Sequence, residues 1–396
     1  MRRSNHTIAL TLALVALGTF AMPAKALQNG LARRPPMGWN SWYTAHCGVT
    51  ENVVLRNANA LVQTGMAQLG YRYVNVDGCW EARHRDRKGR LRGDHARFPH
   101  GMAALGRAIH ALGLRYGIYT SAGPTICSHD LPGSQGHYGR DMKTFARWGV
   151  DYVKVDWCAV PHGTDPRTVY SAVARAAAGS GRRMLVTVST PGVHKPWTWA
   201  AAYGNTWRIA ADANGRWSGV MAALDVDAPL FSYAGPGGWN DPDILQVGDR
   251  VLTRTEQRAH FSLWSMLAAP LLAGYDLRAM PSASRDVLEN SEVVAVDQDR
   301  LGRQGRRVRR RHHVETWVRK LSHRATAVLV LNRSSRTRSA TVRLASVPGL
   351  PKAPAYLARE LWTGETAVLG PGDALRASLG RHAVAMWRIQ PSGSGA

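Results

Sequence analysis

Tyr152-Val153-Lys154-Val155-Asp156 is a short β-rich run that closes on a carboxylate, and runs of this kind recur over the first three quarters of the chain. Seven others lie at residues 37–42, 73–77, 116–121, 184–189, 206–209, 230–233 and, more weakly, 270–273. Longer segments of helical period separate them. In residues 51–69, Val53, Leu55, Leu61, Val62 and Met66 share one face, and the segment 102–112 is followed by Gly113 as a C-terminal stop. Eight β-then-α units between Pro36 and Asp297 predict an α/β fold, a (β/α)8 TIM barrel. A doubly wound sheet is the alternative, but no glycine-rich dinucleotide turn follows the first strand.

Beyond Leu301 the texture changes. Residues 314–318, 326–331, 339–344 and 383–389 alternate in period two between turn residues, with no convincing helix among them. They predict a C-terminal antiparallel β-sandwich. The expected layout is a signal peptide at 1–26, the barrel at 27–301, the β-sandwich domain at 302–390 and a disordered tail at 391–396. Residues 302–396 carry 18 basic and 4 acidic side chains, which is +14 of the net charge. The densest run, 306–311, is broken only by Val308 and reads as a solvated interdomain turn or edge strand. Binding to an anionic wall polymer is the sharper alternative.

With 396 residues, 45% hydrophobic and 20% charged, the chain is globular rather than disordered or fibrous. Its formal charge of +24 comes from 51 Lys and Arg against 27 Asp and Glu. Such a surplus suits nucleic acid or an anionic surface, yet there is no recognition helix, zinc-finger spacing or aromatic-basic interleaving. Nucleic acid is therefore not expected as a partner. Arg2-Arg3, the apolar run 7–21 and Ala24-Lys25-Ala26 have the order of a secretory leader cleaved after Ala26. A mature chain from Leu27, without a membrane anchor, is expected to be secreted, extracellular or periplasmic. In that oxidising setting Cys47, Cys79, Cys127 and Cys158 can pair in three ways. No Cys/His cluster suggests a metal.

In a parallel barrel the site lies at the carboxyl ends of the strands, and here those ends are mostly acidic. The second run ends at Asp77, the fourth at Asp156, the sixth leads to Asp212, and the seventh leads into Trp239-Asn240-Asp241-Pro242-Asp243. Trp42, Trp80, Tyr119 and Trp239 occupy equivalent positions. Carboxylates with aromatic faces suit a sugar, whose hydroxyls donate to the acids while its C–H face stacks on a ring. Glycoside cleavage uses two carboxyl groups. Asp156 shares a strand face with Lys154 two residues away, which suits a nucleophile. Asp212, past its strand end, suits the acid/base. A satisfied barrel ion pair is the bland account of Lys154 and Asp156.

Met37-Gly38-Trp39-Asn40-Ser41-Trp42, residues 71–80, Arg97-Phe98-Pro99-His100-Gly101, Gly117-Ile118-Tyr119, residues 152–158, Trp207-Arg208 through Asp212, residues 234–243 and residues 296–305 together resemble the family 27 glycoside hydrolases, in family order and over nearly all of the mature chain. The resemblance implies α-galactosidase activity on a terminal sugar of an oligosaccharide or polysaccharide. It matches Asp156 to the nucleophile and Asp212 to the acid/base. Trp42, Asp77, Tyr119, Lys154, Arg208 and Asp243 match sugar-contacting positions. A retaining double displacement follows, with the two carboxyl groups about 5 to 5.5 Å apart. No metal and no organic cofactor is implied. The resemblance also pairs Cys47 with Cys79 and Cys127 with Cys158, each bridge tying adjacent loops at the rim.

Two positions depart from the family pattern. The second strand of typical galactosidases ends in two aspartates, whereas Gly78 follows Asp77 here. The loop after strand five reads Ser189-Thr190-Pro191-Gly192-Val193-His194 in place of a Cys-Glu-Trp segment beside the sugar's 2-position. Alternatives within the scaffold are α-N-acetylgalactosaminidase, β-L-arabinopyranosidase and isomaltodextranase. A non-catalytic carbohydrate-binding protein is the alternative outside enzymes. Arg92-Gly93-Asp94 reads as a coincidental adhesion tripeptide, and Asn332-Arg333-Ser334 is a formal glycosylation sequon that matters only in a host that glycosylates.

Overall fold

The computed structural model describes residues 27–127, 129–248 and 251–392. The leader expected at 1–26 and residues 393–396 of the expected tail lie outside them. Eight parallel strands, β1 (Met37–Asn40), β2 (Tyr73–Val76), β3 (Arg115–Ser121), β4 (Tyr152–Asp156), β5 (Leu185–Ser189), β6 (Thr206–Arg208), β7 (Trp239–Asp241) and β8 (Leu271–Ala273), are ordered β7-β6-β5-β4-β3-β2-β1-β8. Past the end of β7, a bridge from Leu245 to Ala273 closes the ring, with the Leu245 N–H donating to the Leu272 carbonyl at 2.8 Å.

Period-two alternation divides these strands between two environments. Trp39, Val74, Val76, Tyr116, Ile118, Val153, Val155, Val186, Val188 and Trp207 face outward into one apolar core shared with the helices. The register sets Asn40 beside Asn75, Asn75 beside Gly117, Tyr119 beside Lys154, Lys154 beside Thr187, and Arg208 beside Asp241, so the lumen takes the polar residues. Tyr73, Tyr152 and Leu185 plug its lower end against Leu31 and Ala32. Gly117 is required here, because a Cβ would fall 1.8 Å from Asn75 Oδ1.

The helical segment read at 51–69 is two helices, Glu51–Gln63 and Met66–Leu69, divided at Gly65 with φ +86°. Thr50 caps the first by accepting from the Val53 N–H at 3.2 Å. The seventh strand corrects the sequence reading. Residues 230–233 form a turn after the helix Trp217–Asp227, and the strand is Trp239–Asp241. Its polar residues hide it from a hydrophobicity pattern, but Asn240 is satisfied inside the fold. Asn240 accepts from Trp207 Nε1 at 2.6 Å and donates to the Leu230 carbonyl at 3.1 Å.

The C-terminal part contains β9 (Arg306–Arg311), β10 (Val314–Lys320), β11 (Thr326–Asn332), β12 (Arg338–Arg343), β13 (Ala355–Glu360), β14 (Thr366–Leu369), β15 (Ala374–Leu379) and β16 (Val384–Ser392). An antiparallel six-stranded sheet, β14-β13-β16-β11-β10-β9, is faced by a two-stranded sheet, β12-β15. One face of the large sheet packs on the small one through Val318, Val328, Val330, Ala340 and Val342. Trp317, Ala327, Leu329 and Met386 on the other join the barrel core. Burying both faces of β11 accounts for its unbroken apolar run. The chain end differs from the reading, because β16 continues through Pro391 and Ser392, which pair with Tyr356 and Ala355. Asn332 is buried, with its amide donating to the carbonyls of Arg336, Leu379 and Gly380, so the sequon is closed to modification in the folded protein. Among the described residues, no helix is long and apolar enough to cross a membrane.

Candidate active site

The carboxyl ends of the barrel strands surround a cavity of about 380 Å³. Trp42, Asp77, Tyr119, Lys154, Asp156, Arg208, Asp212 and Asp243 all line it, each carried just inside or just past a different strand end except for the β4 pair and the β6 pair. The disulfides Cys47–Cys79 and Cys127–Cys158 join the loops after β1 and β2 and after β3 and β4. Cys127 and Cys158 form part of the cavity wall.

Charge alternates around the cavity in two clusters. Lys154 Nζ lies 3.1 Å from Asp77 Oδ2 and 3.7 Å from Asp156 Oδ2, and 5.2 Å from the centre of the Tyr119 ring. Burial pulls the ammonium pKa down, but Asp156 and Asp77 outweigh it and raise the group above its ordinary value. Asp156 also accepts from the Ser189 hydroxyl, its neighbour in the β4–β5 register. In the second cluster Arg208 Nη2 lies 2.8 Å from Asp212 Oδ1, and Nη1 lies 3.1 Å from Asp243 Oδ1.

These acids differ in how firmly they are held. Asp77 accepts from Asn40 Nδ2 at 2.7 Å as well as from Lys154. Asp243 accepts from the backbone N–H groups of Ala213 and Ile244 as well as from Arg208. The Asp212 carboxylate pairs with Arg208, and its side chain is half exposed at 50%. Burial raises the Asp212 pKa, but Arg208 overrides that and holds it below the ordinary carboxylate value.

The structure brings together every candidate site side chain but not every candidate aromatic. Trp80 is fully buried among Phe145 and Trp148, donating from Nε1 to the Tyr119 carbonyl at 2.9 Å. Trp239 donates to the Ala32 carbonyl beneath the barrel. Neither lines the cavity. Trp157 does, with its ring stacked on Tyr170 at 5.7 Å. Sequence reasoning also passed over Asn40, which orients Asp77 and accepts the Trp42 N–H at 2.8 Å. Its signal was available, since it sits at the carboxyl end of β1. In the unusual loop, Ser189, Thr190, Pro191 and Val193 line the cavity, whereas His194 sits edge-on to Trp157 at 6.1 Å. A Cβ on Gly78 would sit 3.2 Å from Tyr119 Cε1, so the ring occupies part of the space a side chain there would use.

Comparison with known proteins agrees with this architecture. The family described as alpha galactosidase A matches residues 34–299, and that described as the alpha galactosidase C-terminal beta sandwich domain matches residues 311–389. An alpha-galactosidase of Cyamopsis tetragonoloba is 42% identical over 364 residues, covering 92% of this chain and 88% of that protein. The crystal structure of alpha-galactosidase I from Mortierella vinacea superposes with a TM-score of 0.86 at 28% identity, covering 93% of this chain and 100% of that one. A β-L-arabinopyranosidase from Geobacillus stearothermophilus gives 0.84 at 26% identity, covering 93% and 100%. With a (β/α)8 barrel, a C-terminal β-domain and relatives about 40% identical over most of its length, the chain belongs to the α-galactosidase family, family 27 of the glycoside hydrolases, and is itself a glycoside hydrolase.

Proposed function

We propose that this protein is a secreted, retaining, exo-acting α-galactosidase that releases terminal α-linked galactose from oligosaccharides or polysaccharide side chains. The observation that carries the reading is the unequal anchoring of two acids on one cavity. Asp156 is fixed on its strand between the Ser189 hydroxyl and Lys154, whereas Asp212 is half exposed and held through Arg208. A nucleophile needs a fixed approach, and an acid/base must meet both a leaving group and water.

In the first step an Asp156 oxygen attacks the anomeric carbon while Asp212 gives its proton to the departing glycosidic oxygen. The C–O bond to the aglycone breaks as the glycosyl–Asp156 ester forms. In the second step Asp212 takes a proton from water, the water oxygen bonds to the anomeric carbon, and the ester opens to release Asp156. Two inversions leave the configuration unchanged. Arg208 can release Asp212 to the leaving group and stay paired with Asp243. Asp77, Lys154 and the Tyr119 and Trp42 faces hold the sugar's hydroxyls and ring. The two disulfides and the apparent leader support export.

The decisive experiment is hydrolysis of p-nitrophenyl α-galactopyranoside, with the anomer of the first product followed by NMR. Release of α-galactose supports the reading; β-galactose excludes retention, and an inert α-galactoside beside a cleaved β-L-arabinopyranoside or dextran excludes the sugar. Asp156→Ala should lower turnover on the order of ten-thousandfold. Added azide should restore turnover and give a product of opposite anomeric configuration. Near-native activity in that variant removes the nucleophile assignment.

A further inference from the structure

The C-terminal domain carries a second concavity, of about 850 Å³, between the two sheets of the sandwich. The small sheet has two strands and the large one six, so the inner face of the β9–β10 edge is left uncovered. Arg309, Arg311, Val314 and Thr316 form one side of the groove, and β12 forms the other. Both flanking strands are terminal. Among the described residues β9 pairs with β10 alone and β12 with β15 alone, so each presents an edge without a strand partner there.

The arginines of β9 divide by face. Arg307 and Arg310 reach Asp225 of the barrel, at 2.6 Å and 3.6 Å, and contact Glu315. A bulge at Val308 opposite Thr316 and Trp317 resets the alternation. Arg309 and Arg311, paired in register with Thr316 and Val314, then turn to the groove, where Arg338 and Arg343 stand at the two ends of β12. Among the described residues, none of these four guanidinium groups lies within ion-pair distance of a carboxylate. Thr316, Ser339, Thr341 and Ser346 also line the groove.

We propose that this groove is a docking site for a linear polysaccharide bearing carboxylates, a polyuronate. Guanidinium groups match carboxylates bidentately, while the hydroxyls and the free β12 backbone edge suit the sugar's own hydroxyls. No Phe, Tyr or Trp lines the groove, and its single ring is His312, whose Nε2 accepts from Arg311 Nε at 3.1 Å. One imidazole does not make the run of rings on which a single-stranded nucleic acid stacks successive bases, nor the broad aromatic face a neutral glycan prefers. The charge of the polymer, not its apolar face, is what the groove reads. Docking there would keep the barrel near sugar side chains on, or lying among, an acidic polymer. The site shares no lining residue with the barrel cavity, and its test does not depend on which sugar the barrel cleaves.

The test uses the full mature chain and measures retention on polygalacturonate at about 150 mM salt, where long-range attraction between exposed charges is largely screened. The variant R309S/R311S/R338S/R343S should bind about tenfold more weakly than the wild type, and R309S/R311S alone about threefold. A charge-matched control, R56S/R72S/R107S/R167S, removes four exposed barrel arginines and should stay within about twofold. Hydrolysis of a small chromogenic glycoside should be unchanged in every variant, which also reports that each is folded. Dextran, uncharged, should not be retained. Absent retention of the wild type, equal weakening by the groove and control sets, or tighter groove-dependent binding of duplex DNA or polyglutamate than of polyuronate would each overturn the proposal.

Discussion

Asp243 Oδ2 accepts the backbone N–H of Ala213 at 2.7 Å, so the residue following Asp212 hangs from a carboxylate of the next strand. Asp243 has φ +123°, a conformation that favours glycine, and its other oxygen meets the Ile244 N–H at 2.8 Å and Arg208 Nη1 at 3.1 Å. A strained backbone held by this many contacts belongs where geometry matters. Asp243 therefore sets the position of both the Asp212 loop and the cation beside it.

Replacing Asp243 with Ala leaves a buried guanidinium with one carboxylate partner, Asp212, and frees the Ala213 N–H. Breaking a buried, hydrogen-bonded pair from one side costs about 3 kcal/mol, so urea unfolding should show a loss of that order. A loss below about 1 kcal/mol would mean that Arg208 is satisfied without it.

Arg208 holds the Asp212 pKa down against burial. An acid catalyst works only while protonated, so loss of its proton sets the alkaline limb of kcat/KM against pH. In Arg208→Gln the Asp212 pKa rises and that limb should move to higher pH, while the rate at the optimum falls because Arg208 also lines the cavity. A pH-rate profile checks this. A limb that stays in place or moves to lower pH contradicts the assignment of Asp212 as the acid.

Gly78→Asp would add a second acceptor beside Asp77, provided that Tyr119 yields a few tenths of an ångström. A site that hydrogen-bonds a hydroxyl discriminates against sugars lacking it. The variant should favour p-nitrophenyl α-galactoside over p-nitrophenyl β-L-arabinopyranoside by about tenfold more than the wild type does. Unchanged selectivity would place this discrimination elsewhere, with the loop at 189–194 the next candidate.

Asp225 joins the barrel to the C-terminal domain through Arg307 and Arg333, at 2.6 Å and 2.8 Å. Burial raises its pKa, but those hydrogen-bonded guanidinium groups win and lower it. A depressed folded-state pKa contributes stability in full above the unfolded value, about 3.9, and loses it as pH falls through the folded one. Asp225→Asn should thus melt below the wild type at neutral pH, with the gap closing as pH drops from about 4 towards 2. Melting curves at several pH values test this, and a gap that persists in acid would tie the effect to packing.

Asp77, Asp156, Asp212 and Asp243, with Trp42 and Tyr119, were legible because parallel barrels place function at strand ends, Lys154 followed from the strand face it shares with Asp156, and Arg208 came with the family resemblance. Alternation was equally informative. Residues such as Val153 and Val155 face the helices, and Lys154 and Asp156 face the lumen, as period two requires. The seventh strand escaped because its Asn240 and Asp241 are polar, and the groups that satisfy Asn240, on Trp207 and Gln304, come from distant segments.

By itself, the sequence determined which face is polar in strands such as β4, where the strand-end acids fall, and the change from helical to alternating texture near residue 301. These are consequences of local periodicity, which a chain carries whatever its neighbours. The tertiary structure decided which aromatics reach the cavity, sending Trp80 and Trp239 into packing and bringing in Trp157. It also set the partners of Asp156 and Asp243, and left one edge of a six-stranded sheet uncovered by its two-stranded partner. Depth along a barrel axis, pairings across many residues and the relative widths of two sheets come from the closed packing of the whole chain, and no window of sequence contains them.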